Sequence, residues 1–133
     1  MTDAHGIKQL RSTLLQVGLI FLFGFYPLTF IWPSGGGAWH TGQSEYLQMT
    51  LAIYAALGVF LILASRDPLA HRSLIWFTVW SSVAHGVVMA AQAVVYPEHV
   101  GHLWGDVPAL FLAAGILAFR IRRADASESQ HGA

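Results

Sequence analysis

Four apolar stretches dominate the pattern of hydrophobic and polar positions: residues 14–32, 46–65, 74–95 and 107–121, joined by short polar connections. A membrane-crossing helix needs roughly 20 predominantly apolar residues, with about 17 as the short limit. The first three stretches meet that length outright. The fourth meets it only if its helix begins before Asp106 or its neighbours shield it. With the stretches marked, the basic residues sort without exception. Lys8 and Arg11 precede the first stretch, Arg66 and Arg72 lie between the second and third, and Arg120, Arg122 and Arg123 follow the fourth. The connections at 33–45 and 96–106 carry no Lys or Arg. Short loops rich in these residues stay in the cytoplasm. The pattern therefore predicts an all-α chain, an antiparallel four-helix transmembrane bundle over residues 1–123 with the N and C termini cytoplasmic. Residues 124–133 are small or polar and are expected to form a disordered cytoplasmic tail. The first stretch is longer than the roughly 7–15 apolar residues of a signal peptide and no clear A-x-A site follows, so it is expected to be a retained span.

Finer features agree with this layout. Trp32, Trp39, Tyr46, Tyr96 and Trp104 fall at the outer boundary, where amphipathic rings favour the headgroup layer. Pro33 stops the first helix and Ser34-Gly35-Gly36-Gly37 makes a turn, while Arg66-Asp67-Pro68 makes a tight inner hairpin. Pro27, inside the first stretch, removes one backbone hydrogen bond and is expected to kink the helix. Helices in lipid pack through close backbone approach. Small residues four apart, Ala52 and Ala56, Gly86 and Ala90, Ala114 and Ala118, are the expected contact points.

Composition narrows the function classes. Hydrophobic residues make up 55% of the 133 residues and charged ones 11%, against about 25% charged in soluble domains. One domain fills the chain. The formal net charge of zero gives no reason to expect a nucleic-acid partner, and the absence of cysteine excludes disulfides, thiolate metal sites and thiol redox catalysis.

The third stretch carries the most informative polar positions. Thr78, Ser81, Ser82, His85, Met89 and Gln92 recur at spacings of three and four, one face of a helix. His85 is the only histidine or charged residue deep inside a span. Eleven residues separate it from Tyr96, roughly 16 Å at the helical rise and so close to the midplane. Intramembrane ionisable residues are functional-site candidates by default. Tyr54, eight residues from Tyr46 on the second span, lies at a similar depth. Tyr54, Ser81, Ser82, His85, Met89 and Gln92 are the expected lining of a ligand cavity. The plainer alternative is an interhelical hydrogen bond from His85 that only locks the bundle.

A second cluster lies at the outer boundary. His99, His102 and Asp106 share a face if the fourth helix starts early, and His40 and Glu45 come from the other outer connection. Imidazole with carboxylate suits a divalent transition metal, and Glu98 or Asp106 can orient a ligand histidine. The spacing matches no specific zinc signature. Asp106, before Val107-Pro108, also reads as a helix cap. A surface cluster and a midplane His85 are too far apart for one ion. An outward-open cavity, with His40, Glu45, His99 and His102 at its rim and His85 at its floor, accommodates both, and a quinone or other flat lipophilic molecule suits it.

The runs His71-Arg72-Ser73-Leu74-Ile75, Trp80-Ser81-Ser82 to His85, and His102-Leu103-Trp104-Gly105-Asp106-Val107-Pro108-Ala109-Leu110, with Trp39-His40 and Ser44-Glu45-Tyr46, resemble a family of small bacterial four-helix membrane proteins catalogued as a domain of unknown function. Its architecture is similar to DoxX-like and BphX-like proteins. The resemblance implies a bacterial inner-membrane location and the same bundle, and transfers no catalytic residue. A quinone follows from it only by fold analogy.

Two function classes remain. One is an accessory subunit or binder of a lipophilic ligand around His85, with the lipid bilayer, other membrane subunits or further copies of the chain as partners. The other is an oxidoreductase-type protein using a quinone, haem or metal at His85 or the outer cluster. Haem held by two histidines inside the bundle needs a second helical histidine at that depth, which the chain lacks.

Overall fold

The computed structural model describes residues 2–31 and 45–129. The expected turn at Ser34 to Gly37, the boundary residues Trp32 and Trp39, the candidate ligand His40 and residues 130–133 lie outside the described residues. Those described are all helical or in short connections. Helix α1 (Thr2–Leu19) passes through a π-helical turn at Ile20–Gly24 into α2 (Phe25–Ile31). Helix α3 (Glu45–Ala64) leads by a 3-10 turn at Pro68–His71 into α4 (Arg72–Val95), and a longer 3-10 segment, Pro97–Trp104, leads into α5 (Asp106–Ser129). Four helical stretches, 5–31, 45–64, 68–95 and 97–129, are long and apolar enough to cross a membrane.

Buried residues follow a spacing of four and three on three helices. Leu10, Leu14, Val17 and Phe21 do so on the first; Ile75, Val79, Ser82, Gly86, Met89 and Ala93 on α4; Leu110, Ala114, Leu117, Ile121 and Ala124 on α5. That is the seam of helices crossing at a shallow angle. The outward faces are equally apolar: Ile53 is 70% exposed, Trp80 66% and Leu112 65%. An aqueous surface rarely tolerates so much contiguous apolar area, whereas lipid does. Near one end, Gln9 bonds Arg120 and Gly6 lies beside Ser127, so the start of α1 neighbours the end of α5.

Among the described glycines, the closest approach of another backbone is between α1 and α3. A Cβ at Gly58 would stand 2.6 Å from the Gly18 carbonyl oxygen, and one at Gly18 would stand 2.8 Å from that of Gly58. The sequence reading assigned this role on α3 to Ala52 and Ala56, but both are exposed. Gly58 is the smallest residue of α3, and only there does the backbone itself become the contact surface. Gly86 and Ala114 are buried, as a packing role requires.

Two further expectations are corrected in part. The disturbance caused by Pro27 is a π turn one to two turns upstream, at Ile20–Gly24. Proline has no N–H for the carbonyl four residues earlier and its ring crowds that carbonyl, and a widened turn absorbs the misfit. Residues 124–129, assigned to a disordered tail, continue α5 to Ser129. There Arg72, at the start of α4, reaches Asp125 at 2.7 Å and also pairs with Glu128, tying the last turns of α5 to a second helix.

Candidate functional site

An open groove of about 810 Å³ runs along α4, lined by Ser81, Ala84, His85, Val88, Met89, Gln92, Tyr96, Glu98 and His99. The polar stripe expected on this helix divides between two faces. Thr78 and Ser82 fall on the buried seam, 0% and 2% exposed, and the Thr78 hydroxyl donates to the Leu74 carbonyl at 2.8 Å. Ser81, His85 and Gln92 face the groove, with the Ser81 hydroxyl donating to the Thr78 carbonyl at 3.2 Å. Met89 belongs to both, lining the groove while packing with Val107 and Leu110. Spacings of three and four recur within either face, so the period alone merges them.

Tyr54 comes from α3 to meet His85, the two rings edge to face at 5.6 Å. The tyrosine ring is held from behind by Phe21 at 5.2 Å and Phe25 at 4.9 Å. The π turn supplies the first of these phenylalanines and α2 the second. The distortion before Pro27 thus shapes the support of the site.

The outer histidines owe their arrangement to the 3-10 segment. At three residues per turn, every third side chain eclipses the one before it. Tyr96, His99 and His102 form such a ridge, with ring centres 6.2 Å and 6.0 Å apart. His99 lines the groove. His102 turns inward, 1% exposed, and its Nδ1 lies 2.9 Å from Asp106 Oδ2. Asp106 occupies the first position of α5, where the Gly105 carbonyl accepts the Ala109 N–H at 3.3 Å, and an acid there suits the positive end of the helix dipole. Read from sequence as an outer-surface residue, it is 5% exposed. Glu45 is exposed at the start of α3. Among the described residues no three histidine, aspartate or glutamate side chains gather closely enough to hold a metal ion.

Residues 4–132 match the model of DUF6632, a family of unknown function. The chain belongs to this family. No curated protein and no solved structure matches it. In this chain the groove along α4, the Tyr54–His85 contact and the buried His102–Asp106 pair are the features that carry candidate chemistry. The inward turn of His102 and Asp106 is the feature the sequence did not disclose. The eight-residue 3-10 run between Pro97 and Trp104 produces it, and Gly105 ends that run with φ −112° and ψ −102°.

Proposed function

We propose that this chain is a multi-pass protein of the bacterial inner membrane, an antiparallel bundle with both termini cytoplasmic, that binds a lipophilic small molecule in the α4 groove and acts as a binding or accessory module. The distribution of Lys and Arg supports the orientation. The groove carries the binding reading. Its volume falls within the roughly 300–1,000 Å³ of small-molecule sites, and an apolar wall with a few converging polar groups is their usual form. Ala84, Val88 and Met89 supply the apolar wall; Ser81 and His85 stand towards one end, Gln92, Tyr96, Glu98 and His99 towards the other. Val88 is 55% exposed on a helix whose outer surface meets lipid, so a molecule dissolved in the bilayer enters sideways.

The test is native mass spectrometry of the purified protein in detergent micelles, titrated with 4-decylphenol and 4-decylanisole. One saturable adduct per chain is expected with at least one of these probes. Val88→Trp, which fills the groove from an exposed position, lowers its affinity by at least about tenfold, or 1.4 kcal/mol. His85→Leu weakens it too, while Ile53→Trp on the outward face of α3 does not. Non-saturable adducts with both probes, unaffected by Val88→Trp, would overturn the reading.

A further inference from the structure

The groove has a charge at one end that nothing in the chain offsets. Of its lining residues, Glu98 alone is an aspartate, glutamate, lysine or arginine. Its side chain is exposed and takes part in no ion pair among the described residues. The connections at 33–45 and 96–106 contain no Lys or Arg. In the proposed orientation all seven Lys and Arg lie across the membrane, and a hydrocarbon core about 30 Å thick keeps them from pairing with Glu98. Tyr96 lines the same end and is 50% exposed, so an aromatic ring stands beside the carboxylate. From Tyr96 back to Ala84 is twelve residues, about 18 Å at the helical rise. Along that length Met89, Val88 and Ala84 form the apolar wall.

We propose that the groove ligand is a lipophilic cation, with an ammonium-type head group at Glu98 and Tyr96 and its tail along Met89, Val88 and Ala84. This rests on the groove being a ligand site. The carboxylate pairs with the cation, and the Tyr96 ring adds a cation–π contact. Carboxylate and low-dielectric wall together raise the local concentration of such a molecule. An anionic head group would meet Glu98 with no Lys or Arg to receive it. The phosphate of a zwitterionic phospholipid would meet the same deficit, so the ligand carries no attached anion.

The same native mass spectrometry titration tests this with 4-decylphenyltrimethylammonium against 4-decylanisole. The sulfopropyl betaine of that ammonium serves as the zwitterion. An exposed ion pair and an exposed cation–π contact each give up to about fivefold. Wild-type protein should therefore bind the ammonium about tenfold tighter than the ether, and the betaine no tighter than the ether. Glu98→Gln should reduce the preference to about threefold or less, and partition into micelles, common to both proteins, cancels from the comparison. Raising ammonium acetate from about 0.01 M to about 1 M should lower the wild-type preference with no variant needed. Equal affinity for ammonium and ether, or a preference unchanged by Glu98→Gln, overturns the cation proposal and leaves the groove reading standing. Betaine binding as tight as that of the ammonium overturns it likewise and assigns the groove to a zwitterionic lipid head group. Saturable binding of none of the probes overturns both readings.

Discussion

Substitution of Gly58 by alanine tests the packing logic of the bundle most directly. The added Cβ would meet the Gly18 carbonyl oxygen at 2.6 Å, the Leu22 nitrogen at 2.8 Å and the Leu22 Cα at 3.2 Å. All three are backbone atoms, so no rotamer change relieves the clash and α1 and α3 must separate. Restoring an ordinary 3.4 Å contact requires about 0.8 Å of movement at that point. A gap of 0.5–1 Å already forfeits roughly a quarter to a half of the dispersion energy of the contacts it opens. Overpacking of this kind costs about 1–3 kcal/mol, while alanine regains roughly 0.5–1 kcal/mol over glycine within a helix. The expected net loss is about 1 kcal/mol, within a span of roughly 0–2.5 kcal/mol. Gly115 is the control, since a Cβ there has nothing within 4 Å; Gly115→Ala should be neutral or stabilising by up to about 1 kcal/mol. Gly86→Ala falls between them, because its obstacle at 3.2 Å is the ring of Phe111, itself 37% exposed and able to swing aside. Reversible unfolding by SDS titration in mixed micelles, followed by circular dichroism, ranks the series. Equal stability of Gly58→Ala and Gly115→Ala would refute the close crossing of α1 and α3.

Gly18→Ala and Gly58→Ala relieve or aggravate the same crossing, so their combined loss should be smaller than the sum of the single losses in the same titration. His102→Ala leaves Asp106 without its imidazole partner and should cost about 1–3 kcal/mol; with Asp106→Ala added the loss should shrink, and strict additivity in this double-mutant cycle would argue against the pairing. Arg72→Ala removes partly exposed ion pairs, which contribute little to global stability. Its effect should be local, with faster amide hydrogen exchange at residues 125–129 and unchanged exchange in the middle of α5. The chain has no native cysteine, so single cysteines report sidedness: one at Ser34 should react with a membrane-impermeant maleimide in intact cells, and one at Ser129 only after permeabilisation. The reverse pattern would invert the orientation drawn from the basic residues.

The order of residues was enough to show which segments are long apolar helices, because length and hydropathy are local properties and lipid imposes them on each span separately. The chain did not disclose the ridge of Tyr96, His99 and His102: it grouped the two histidines with Asp106 on one α-helical face, and only a segment that winds at three residues per turn aligns them with Tyr96. It placed His85 and Tyr54 at similar depths by counting residues from the boundary, and the structure brings their rings together. What it did not determine is which face of each helix looks inward. In a soluble helix the polar side marks the outside, but in lipid both sides are apolar. Ala52 and Ala56 therefore looked as suitable for packing as Gly58, and Ser82 as suitable for a groove as Ser81. Tertiary structure also decided the order of the end of α5. Ala124 to Ser129 read as a polar tail until Arg72, more than fifty positions away, supplied a partner for Asp125 and Glu128. The burial of Asp106 was decided in the same way. A carboxylate at a loop-to-helix junction reads as an exposed cap, and only the fold-back of the 3-10 segment onto α4 and α5 covers it and turns His102 towards it. Depth along a helix follows from the chain, whereas direction around it follows from the neighbours.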